Sequence, residues 1–290
     1  MNTVLIAALV SGVIALGLGR IIGVASKLFA VPNDPRVDLV IGLLPGANCG
    51  GCGKAGCADF AKSVVSGENP PNKCPVSSAE QISAIAQALG IEAGSSFKQV
   101  AVVLCGGDKN QARQHTLYNG VYDCVSAAMV AGGPKSCSYG CFGMGSCARS
   151  CPFGAIEIIN NLAVVHPEVC VGCGTCVDTC PRHLIKLVPV DAKVHIFCSS
   201  PLKGPEKKKV CNVPCLGCRK CVKAGAEGQF TVEGIKVSVN YEPGENGLPG
   251  EEVIAGAGCP TGCLMTVEKH LETEYAELAE AKKEAANGRK

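Results

Sequence analysis

The sequence has no tryptophan, and aromatic residues make up only 4% of its 290 positions. Beyond the first thirty residues it also offers few large apolar side chains, so a large hydrophobic core cannot order most of the chain. Positive and negative side chains nearly balance, with a formal net charge of +2. This balance gives no reason to expect nucleic acid as a partner. Something other than bulk burial or charge must therefore organise the protein.

Several features of catalytic chains are also missing from the sequence. No constellation pairs a nucleophile with a base, and the five histidines are scattered. No phosphate-binding loop occurs, and no glycine-rich turn follows a strand as a dinucleotide fingerprint would. Gly17 and Gly19 lie inside an apolar segment and suit helix packing. We therefore expect no catalytic residue in this chain and no flavin or NAD site of its own.

What the sequence has in abundance is cysteine, with 21 residues. Disulfides fit poorly, because the count is odd and the chain is long. Zinc sites generally pair two C-x2-C knuckles across a loop. Here a third cysteine follows in step and is succeeded by C-x3-C-P, which is the run of bacterial ferredoxins. The spacing therefore favours [4Fe–4S] clusters, with structural zinc as the alternative.

An uncharged apolar stretch opens the chain, from Asn2 to Gly19. Continued to Ser26, it is long enough to cross a bilayer, which takes roughly 20 residues. A secretory signal would begin with basic residues, and a buried helix would need a larger core. We therefore predict a transmembrane anchor over residues 1–29. The basic residues Arg20, Lys27 and Arg36 follow the span and none precedes it, so the rest of the chain should lie on the cytoplasmic side of the inner membrane.

A first cysteine module is predicted over residues 30–92. Its cysteines are Cys49, Cys52, Cys57 and Cys74. Glycines crowd around the first three, and glycine permits the positive φ and close backbone approach that a cluster loop needs. We expect the four thiolates to hold one [4Fe–4S] cluster, with structural zinc as the alternative. Ser77 and Glu80 have the spacing of a capping box, which opens a short helix ending at Leu89.

A connecting segment, residues 93–135, is predicted to combine a buried strand over residues 98–104 with a helix over about residues 121–131. Cys105 ends the strand and Cys124 lies in the helix. Neither cysteine has cluster spacing. Two interpretations stay open for both: they are small buried residues, or they have a ligand or redox role.

Two ferredoxin-type runs follow in residues 136–190. Between them, residues 155–166 alternate around Asn160-Asn161 and predict a β-hairpin. In two-cluster ferredoxins, three cysteines of each run hold one cluster and the fourth crosses to the other. The spacing of the first run is stretched, but its ligand order is unchanged. The predicted sets are Cys137, Cys141, Cys147 and Cys180 for the second cluster, and Cys151, Cys170, Cys173 and Cys176 for the third.

A third copy of the run, in residues 191–266, has lost half of its cysteines. A hairpin-like stretch, residues 230–242, again precedes a Cys-Pro pair. By the crossover rule, one complete cluster remains. Its ligands are Cys215, Cys218, Cys221 and Cys259. The other cluster would need cysteines where the chain has Gly225, Pro249, Glu252 and Ala255. A whole cluster has therefore been removed from a two-cluster module.

Five cysteines stay outside these four clusters: Cys105, Cys124, Cys198, Cys211 and Cys263. Cys211 precedes Cys215 by four residues, much as Cys137 precedes Cys141, so a register that uses Cys211 as a ligand stays open. Sixteen ligands predict about 16 iron atoms per chain.

The predicted fold class is α+β. A single N-terminal transmembrane helix precedes a small four-cysteine domain and bacterial two-cluster ferredoxin-like modules, of which the last is degenerate. Residues 267–290 are helix-prone and strongly charged, which predicts a solvated helix or a fraying tail.

The order of these parts resembles that of a known family. An apolar N-terminal helix is followed by PGANCGGCGKAGC and a later Cys-Pro, and then by a ferredoxin pair opened by GGPKSCSYGCFGMGSCARSCPFGAI. This combination resembles the B subunits of Rnf electron-transport complexes over nearly the whole chain. The resemblance implies a membrane-bound, ion-translocating ferredoxin:NAD⁺ oxidoreductase. In it this chain would take electrons from soluble ferredoxin and pass them to other membrane and peripheral subunits.

Other functions stay open beside this one. A polyferredoxin subunit of a membrane hydrogenase or formate-linked complex would share the clusters but serve a different partner. A scaffold that binds zinc would have no redox role. Local basic stretches are candidates for docking an acidic ferredoxin, and ordinary solvated loops are the alternative. These stretches contain Lys203, Lys207, Lys208 and Lys209, and Arg219 and Lys220.

Overall fold

The computed structural model describes residues 2–28, 34–94, 98–242 and 244–287. In these residues the helices are α1 Asn2–Leu28, α2 Pro35–Leu43, α3 Cys57–Val65, α4 Ala79–Leu89, α5 Cys124–Met129, α6 Ser146–Ser150, α7 Thr175–Thr179, α8 Gly204–Val210, α9 Lys220–Ala224, α10 Glu252–Ala257 and α11 Val267–Asn287, with a 3₁₀ turn at Pro71–Lys73. The strands are β1 Gln99–Val103, β2 Ile156–Ile159, β3 Leu162–Val165, β4 Ile185–Pro189, β5 Val194–Ile196, β6 Phe230–Glu233, β7 Lys236–Val239 and β8 Leu264–Thr266. They form two-stranded sheets, and the predicted α+β class is confirmed.

α1 is the apolar helix that the sequence predicts at the N-terminus. Its window Leu9–Ser26 has a mean hydropathy of 1.9 and is 0% buried. Leu16 and Ile22 are among its exposed apolar side chains. A helix that is apolar all round is stable where lipid covers it. By length and composition, α1 can cross a membrane.

Three helices build the first cysteine module. α2 packs against α3 and α4, and Val40, Phe60 and Ile85 form the buried centre of this packing. Of these three helices, the sequence predicted only α4. α2 and α3 have nine residues each, too few for an apolar periodicity to stand out beside a glycine-rich cluster loop.

The capping box of α4 lies one residue later than predicted. Ser78, not Ser77, is the N-cap, and its hydroxyl accepts a hydrogen bond from the N–H of Gln81 at 3.3 Å. The Gln81 side chain accepts from the N–H of Ser78 at 2.9 Å in return. Glu80 accepts instead from the Ser78 hydroxyl. The pair Ser77/Glu80 was therefore wrong, although the helix and its end at Leu89 are confirmed.

Both predicted hairpins are confirmed. β2 pairs antiparallel with β3, and the connecting Asn160 and Asn161 have φ values of 48° and 59°. Positive φ at both positions is the type I′ turn, whose twist matches that of the strands. β6 pairs antiparallel with β7, and Gly234 supplies the positive φ, 63°, at that turn.

Two further strand pairs join distant parts of the chain. β1 pairs antiparallel with β4, so the predicted strand of the connecting segment forms and lies against the ferredoxin pair. β5 pairs antiparallel with β8. Just beyond β1 and β5, Cys105 and Cys198 form an isolated antiparallel bridge. The ends of these two strands therefore lie side by side.

α5 is shorter than the helix predicted over residues 121–131. It begins at Cys124 because the carboxylate of Asp123 accepts hydrogen bonds from two N–H groups of its first turn, both at 3.0 Å. It ends at Met129, and residues 131–133 all have positive φ, which an α-helix does not accommodate.

α11 corrects the prediction of a solvated helix or fraying tail. His270 and Glu274 are buried, and the Tyr275 hydroxyl donates to Glu157 of β2 at 2.6 Å. The side-chain amide of Asn160 donates to the Glu274 carbonyl oxygen at 3.0 Å. The early turns of α11 are therefore docked on the β2–β3 hairpin. The high overall charge of the segment did not indicate this docking, because only one face of the helix takes part in it.

Candidate metal centres

None of the 21 cysteines is in a disulfide bond. Most of them gather in groups of four, and four of these groups line cavities. Each group is named here after one of its cysteines.

The Cys49 group is the first predicted set, Cys49, Cys52, Cys57 and Cys74. Cys52 and Cys74 are buried in the core of the first module, and Cys57 packs against that core. Burial raises the pKa of Cys49, and the neighbouring thiolates of Cys173 and Cys74 act in the same direction. Asn48, which no spacing in the sequence singles out, closes the loop: its side-chain oxygen accepts from the N–H of Cys57 at 2.8 Å.

The Cys151 group is the third predicted set, Cys151, Cys170, Cys173 and Cys176. These residues line one cavity of about 320 Å³, its open mouth included. Burial raises the pKa of Cys176 to about 12, and the thiolates of its three partners add to this. The N–H of Ala101 in β1 donates to the Cys170 sulfur at 3.3 Å. Such N–H···S bonds stabilise the negative charge of an iron–sulfur cluster.

The Cys141 group differs from the predicted second set in one member. Cys141, Cys147 and Cys180 line a cavity of about 350 Å³, and the fourth thiol there is Cys124, not Cys137. Burial raises the pKa of Cys147 to about 12, and the Cys124 thiolate is the strongest of the charges that add to it. The N–H of Cys124 donates to the hydroxyl of Ser146 at 2.8 Å, which ties α5 to the loop that holds Cys147.

The Cys105 group contains three of the cysteines that spacing left unassigned. Cys105, Cys198 and Cys211 line a cavity of about 430 Å³ together with Cys137. Burial raises the pKa of Cys211 to about 12, and the thiolates of the three others raise it further. The stretched spacing of the first run, in which Cys137 stands apart, is the sequence signal that could have revealed this group.

The Cys215 group is the fourth predicted set, Cys215, Cys218, Cys221 and Cys259. All four line a cavity of about 360 Å³, and Cys263 lies there as a fifth thiol. The Cys263 sulfur is 3.7 Å from that of Cys259. The hydrogen bond with Cys263 lowers the pKa of Cys259 to about 4. The structure therefore brings the predicted set together and adds a neighbour that the sequence did not place.

The space of the missing cluster is filled by protein. Gly225 ends α9, and a Cβ there would meet the Phe230 ring at 2.6 Å. Glu252 and Ala255 lie in α10, which packs directly on α9. Side chains and helix packing therefore occupy the positions at which the spacing predicts a lost cluster.

The donor sets fit an iron–sulfur cluster better than a single metal ion. Within the described residues, no three His, Cys, Asp or Glu side chains converge closely enough to hold one ion. Four thiols spaced around a cavity suit a group of several metal atoms. Glycines with positive φ lie in the Cys49, Cys151 and Cys215 loops, among them Gly50, Gly172 and Gly217, as the glycine-rich sequence around the cysteines predicts.

The thiol groups follow one another through the molecule. The loop of the Cys49 group touches the Cys151 group, since a Cβ at Gly51 would lie 2.7 Å from the Cys173 carbonyl oxygen. The Cys176 thiolate is close enough to the Cys141 group to act on the pKa of Cys147. The N–H of Cys141 donates to the Cys105 sulfur at 3.4 Å.

The last link joins the Cys105 and Cys215 groups. Lys207 lines the cavity of the Cys105 group, and its ammonium donates to the carbonyl oxygen of Cys215 at 2.9 Å. The order is therefore the Cys49, Cys151, Cys141, Cys105 and Cys215 groups. This series begins in the module next to α1 and ends at Cys218, the one cysteine that is exposed.

Comparisons with known proteins support this chemistry. The family model FeS, for an Fe-S cluster, matches residues 44–76, and the 4Fe-4S binding domain model matches residues 163–186. The first match contains the whole Cys49 group, and the second contains the second ferredoxin-type run.

Three relatives extend the similarity to most of the chain. The B subunit of the proton-translocating ferredoxin:NAD(+) oxidoreductase complex of Clostridium ljungdahlii is 38% identical over 97% of this chain and 99% of that relative. The B subunit of the ion-translocating oxidoreductase complex of Methanosarcina acetivorans is 42% identical over 78% of this chain and 88% of the relative. The B subunit of the Na(+)-translocating ferredoxin:NAD(+) oxidoreductase complex of Acetobacterium woodii is 41% identical over 83% of this chain and 73% of the relative. The chain therefore belongs to the family of B subunits of ion-translocating oxidoreductase complexes, the family that its motif order predicted.

Proposed function

We propose that this chain relays single electrons within a membrane-bound, ion-translocating ferredoxin:NAD⁺ oxidoreductase complex. The observation that carries the proposal is the series of neighbouring four-thiol groups that leads from the anchored module to the surface at Cys218. Bound [4Fe–4S] clusters supply one-electron redox chemistry. The chain holds them, buries them and fixes their order. The names of the relatives favour this complex over a hydrogenase or formate-linked one.

The ligand assignment is part of this proposal. We assign complete ligand sets to three groups, namely Cys49, Cys52, Cys57 and Cys74; Cys151, Cys170, Cys173 and Cys176; and Cys215, Cys218, Cys221 and Cys259. Cys141, Cys147 and Cys180 supply three ligands of a further cluster. The first set is supported by its packing in one core, and the others by their shared cavities. The N–H···S bond to Cys170 gives the second set further support. Because iron binds thiolates, thiols whose pKa is raised by burial must lose protons on loading, so cluster assembly weakens at low pH.

The membrane is the proposed location of the complex, and α1 the proposed anchor of this chain. Arg20, Lys27 and Arg36 follow the span, which favours the cytoplasmic side for the cluster modules. Protease added to inverted membrane vesicles should then degrade these modules. Protection in inverted vesicles, with degradation in right-side-out ones, would place them on the opposite side.

Soluble ferredoxin is the proposed electron donor, and the surface around Cys218 is its proposed docking site. Arg219 and Lys220 adjoin this exposed cysteine and are themselves exposed. A positive surface beside a cluster attracts an acidic partner and speeds its association.

The second predicted basic stretch needs one correction. Lys203, Lys208 and Lys209 are exposed, but Lys207 is only 1% accessible. Its ammonium donates to the carbonyl oxygen of Cys215 at 2.9 Å. Lys207 therefore faces the clusters and takes no part in a docking surface.

A charge-reversal pair tests the docking site. Arg219→Glu/Lys220→Glu should lower the association rate of reduced ferredoxin about tenfold or more at low salt, and should weaken its salt dependence. Lys62→Glu changes an exposed lysine of the first module and serves as the control. Equal rates for the two variants in stopped-flow mixing would exclude this surface as the docking site.

The relay itself is tested in inverted membrane vesicles, by NAD⁺ reduction with reduced ferredoxin. Removal of this chain should abolish NADH formation, and addition of the purified chain should restore it. A chain with Cys49→Ala/Cys52→Ala is the control, because it should bind the vesicles and fail to restore activity. Unchanged NADH formation without this chain would contradict the proposal.

A further inference from the structure

Four cysteines from separate stretches of the chain meet in the Cys105 group. Cys105 follows β1, Cys198 follows β5, and the two face each other in an antiparallel bridge. Cys211 ends α8 and pairs with Ala112 in a second bridge. Cys137 is the first cysteine of the stretched run. None of the four is part of a complete local run, so the fold alone brings them together.

The backbone around these thiols resembles that of a cluster loop. Gly107 approaches two of them, since a Cβ there would lie 3.6 Å from the Cys211 sulfur and 3.7 Å from that of Cys105. At Gly140 a Cβ would lie 3.6 Å from the Cys137 sulfur. The N–H of Cys141 donates to the Cys105 sulfur at 3.4 Å. Close glycine backbone and an N–H directed at sulfur are the features that the Cys151 group also shows.

Two buried lysines adjoin this cavity and carry positive charge into it. Lys207 lines the cavity and Lys135 donates to the carbonyl oxygens of Gly107 and Asn161, at 2.7 and 2.8 Å. They are 1% and 2% exposed. In the described part of the chain neither ammonium is in an ion pair with a carboxylate. Buried charges need a compensating charge nearby, and a cluster held by four thiolates would supply a negative one.

The position of the group also has a consequence for the relay. The Cys105 group lies between two others: the N–H of Cys141 donates to the Cys105 sulfur on one side, and Lys207 connects its cavity to the Cys215 carbonyl oxygen on the other. It thus fills the interval between the ferredoxin pair and the degenerate module.

We propose that Cys105, Cys137, Cys198 and Cys211 bind a fifth [4Fe–4S] cluster, and that Cys124 replaces Cys137 as the fourth ligand beside Cys141, Cys147 and Cys180. Binding converts the four thiols to thiolates, with release of four protons, and adds iron and sulfide in equal numbers. Twenty of the 21 cysteines then serve as ligands, and Cys263 is the one left over. The inference extends the proposed electron relay, and its first test is independent of that function.

Iron and acid-labile sulfide per chain give the first test, on the full-length protein purified without oxygen in detergent. Five clusters predict about 20 of each. About 16 of each would overturn the fifth site and leave the relay with four clusters. No iron at all, or zinc in its place, would overturn the relay as well. A disulfide between Cys105 and Cys198 in the native chain would also overturn the fifth site.

Combined variants test which cluster Cys137 and Cys124 belong to. Cys105→Ala/Cys211→Ala should lower the iron from about 20 to about 16 per chain. Adding Cys137→Ala to this pair should cause no further loss, because its cluster is already gone. Adding Cys124→Ala should remove or alter one more cluster in the EPR and Mössbauer spectra. If Cys137→Ala removed more iron and Cys124→Ala removed none, Cys137 would be the fourth ligand beside Cys141, Cys147 and Cys180, as the spacing of the run predicts.

Val213→Ala is the control for packing, because Val213 lines the same cavity without a thiol. It should retain about 20 iron atoms. If Val213→Ala lost as much iron as Cys105→Ala/Cys211→Ala, the loss would follow from disturbed packing and the variants would count against the site. The iron content of the unaltered chain decides the matter even if every variant is unstable.

Discussion

At the scale of single residues, Lys207 shows how the clusters shape the rest of the chain. It is a lysine in a charged stretch that the sequence suggests as a docking surface, yet it is almost wholly buried. It lies against the cavity of the Cys105 group, and it donates to a carbonyl oxygen of the Cys215 group. Burying an unpaired ammonium costs several kcal/mol. Anionic clusters on both sides would offset that cost and, in turn, be easier to reduce beside a positive charge.

Lys207→Met tests this role. Loss of the charge should lower the reduction potential of the neighbouring clusters, by on the order of tens of millivolts. Lys208→Met removes the adjacent charge of the same helix, which is exposed and screened by solvent, so its effect should be much smaller. EPR-monitored redox titration measures both. Equal shifts in the two variants would show that Lys207 does not act on a cluster.

At the scale of elements, the degenerate module shows what replaces a lost cluster. α9 packs directly against α10, and these helices include or adjoin three of the positions, 225, 252 and 255, at which the spacing predicts the lost cysteines. Gly225, at the end of α9, leaves the space that the Phe230 ring occupies. The absent cysteine is thus one part of a rebuilt core that also includes the buried Val253 and Ala257 of α10. Restoring a cysteine at position 225 would not restore a cluster.

Gly225→Ala tests the rebuilt core. The new Cβ would meet the Phe230 ring at 2.6 Å, and overpacking of this kind costs about 1–3 kcal/mol. Gly256→Ala in α10 is the matched control, since its Cβ would meet Ala224 at an ordinary 3.5 Å. Thermal unfolding followed by circular dichroism should show a lower Tm for Gly225→Ala only. An unchanged Tm would mean that Phe230 has room to move.

β5 brings a titrating group into this part of the core. His195 is 0% exposed, and its Nδ1 lies 2.9 Å from the Tyr241 hydroxyl. Burial lowers the pKa of His195 to about 4. Between pH 6.5 and 4, the unfolded chain therefore binds a proton that the folded chain does not, so stability falls as the pH falls through this window.

His195→Gln removes this dependence on pH. The free energy of unfolding of the unaltered chain should fall by up to about 3 kcal/mol between pH 6.5 and 4 from this group alone. The Gln variant should lack that part, so the difference in Tm between the two proteins should shrink as the pH is lowered. Loss of acid-labile clusters at low pH should lower the Tm of the unaltered chain and of the His195→Gln variant by the same amount. His115→Gln, at an exposed position, should follow the unaltered chain, and a constant difference for His195→Gln would refute the assignment.

The elements also show what the sequence could predict and what it could not. Local spacing found the Cys49, Cys151 and Cys215 groups, and alternation found both hairpins, because each of these depends on residues close together in the chain. Cys105, Cys198 and Cys211 each stand alone in the sequence and meet only through β1, β5 and the bridges beyond them. The spacing of the stretched run predicted Cys137 as the fourth thiol beside Cys141, Cys147 and Cys180. In the structure, Cys124 of α5 lies there instead.

At the scale of the whole molecule, the thiol groups form one series between α1 and the exposed Cys218. The hydrophobic clusters of the chain are mainly aliphatic, and each of the three larger ones includes buried cysteines, so the thiol groups are held in the packed core. Metal binding and folding are coupled in such cores. Because each group contacts the next, we expect every group to be needed for electrons to cross the chain.

The most direct measurement is therefore NAD⁺ reduction by reduced ferredoxin in inverted vesicles that carry the Cys105→Ala/Cys211→Ala chain. Iron analysis of the same chain establishes beforehand that about 16 iron atoms remain. The account predicts that NADH formation falls to the level seen without this chain, while vesicles with the Val213→Ala chain keep the normal rate. A normal rate with the doubly substituted chain would contradict the account, because electrons would then cross the protein without the Cys105 group.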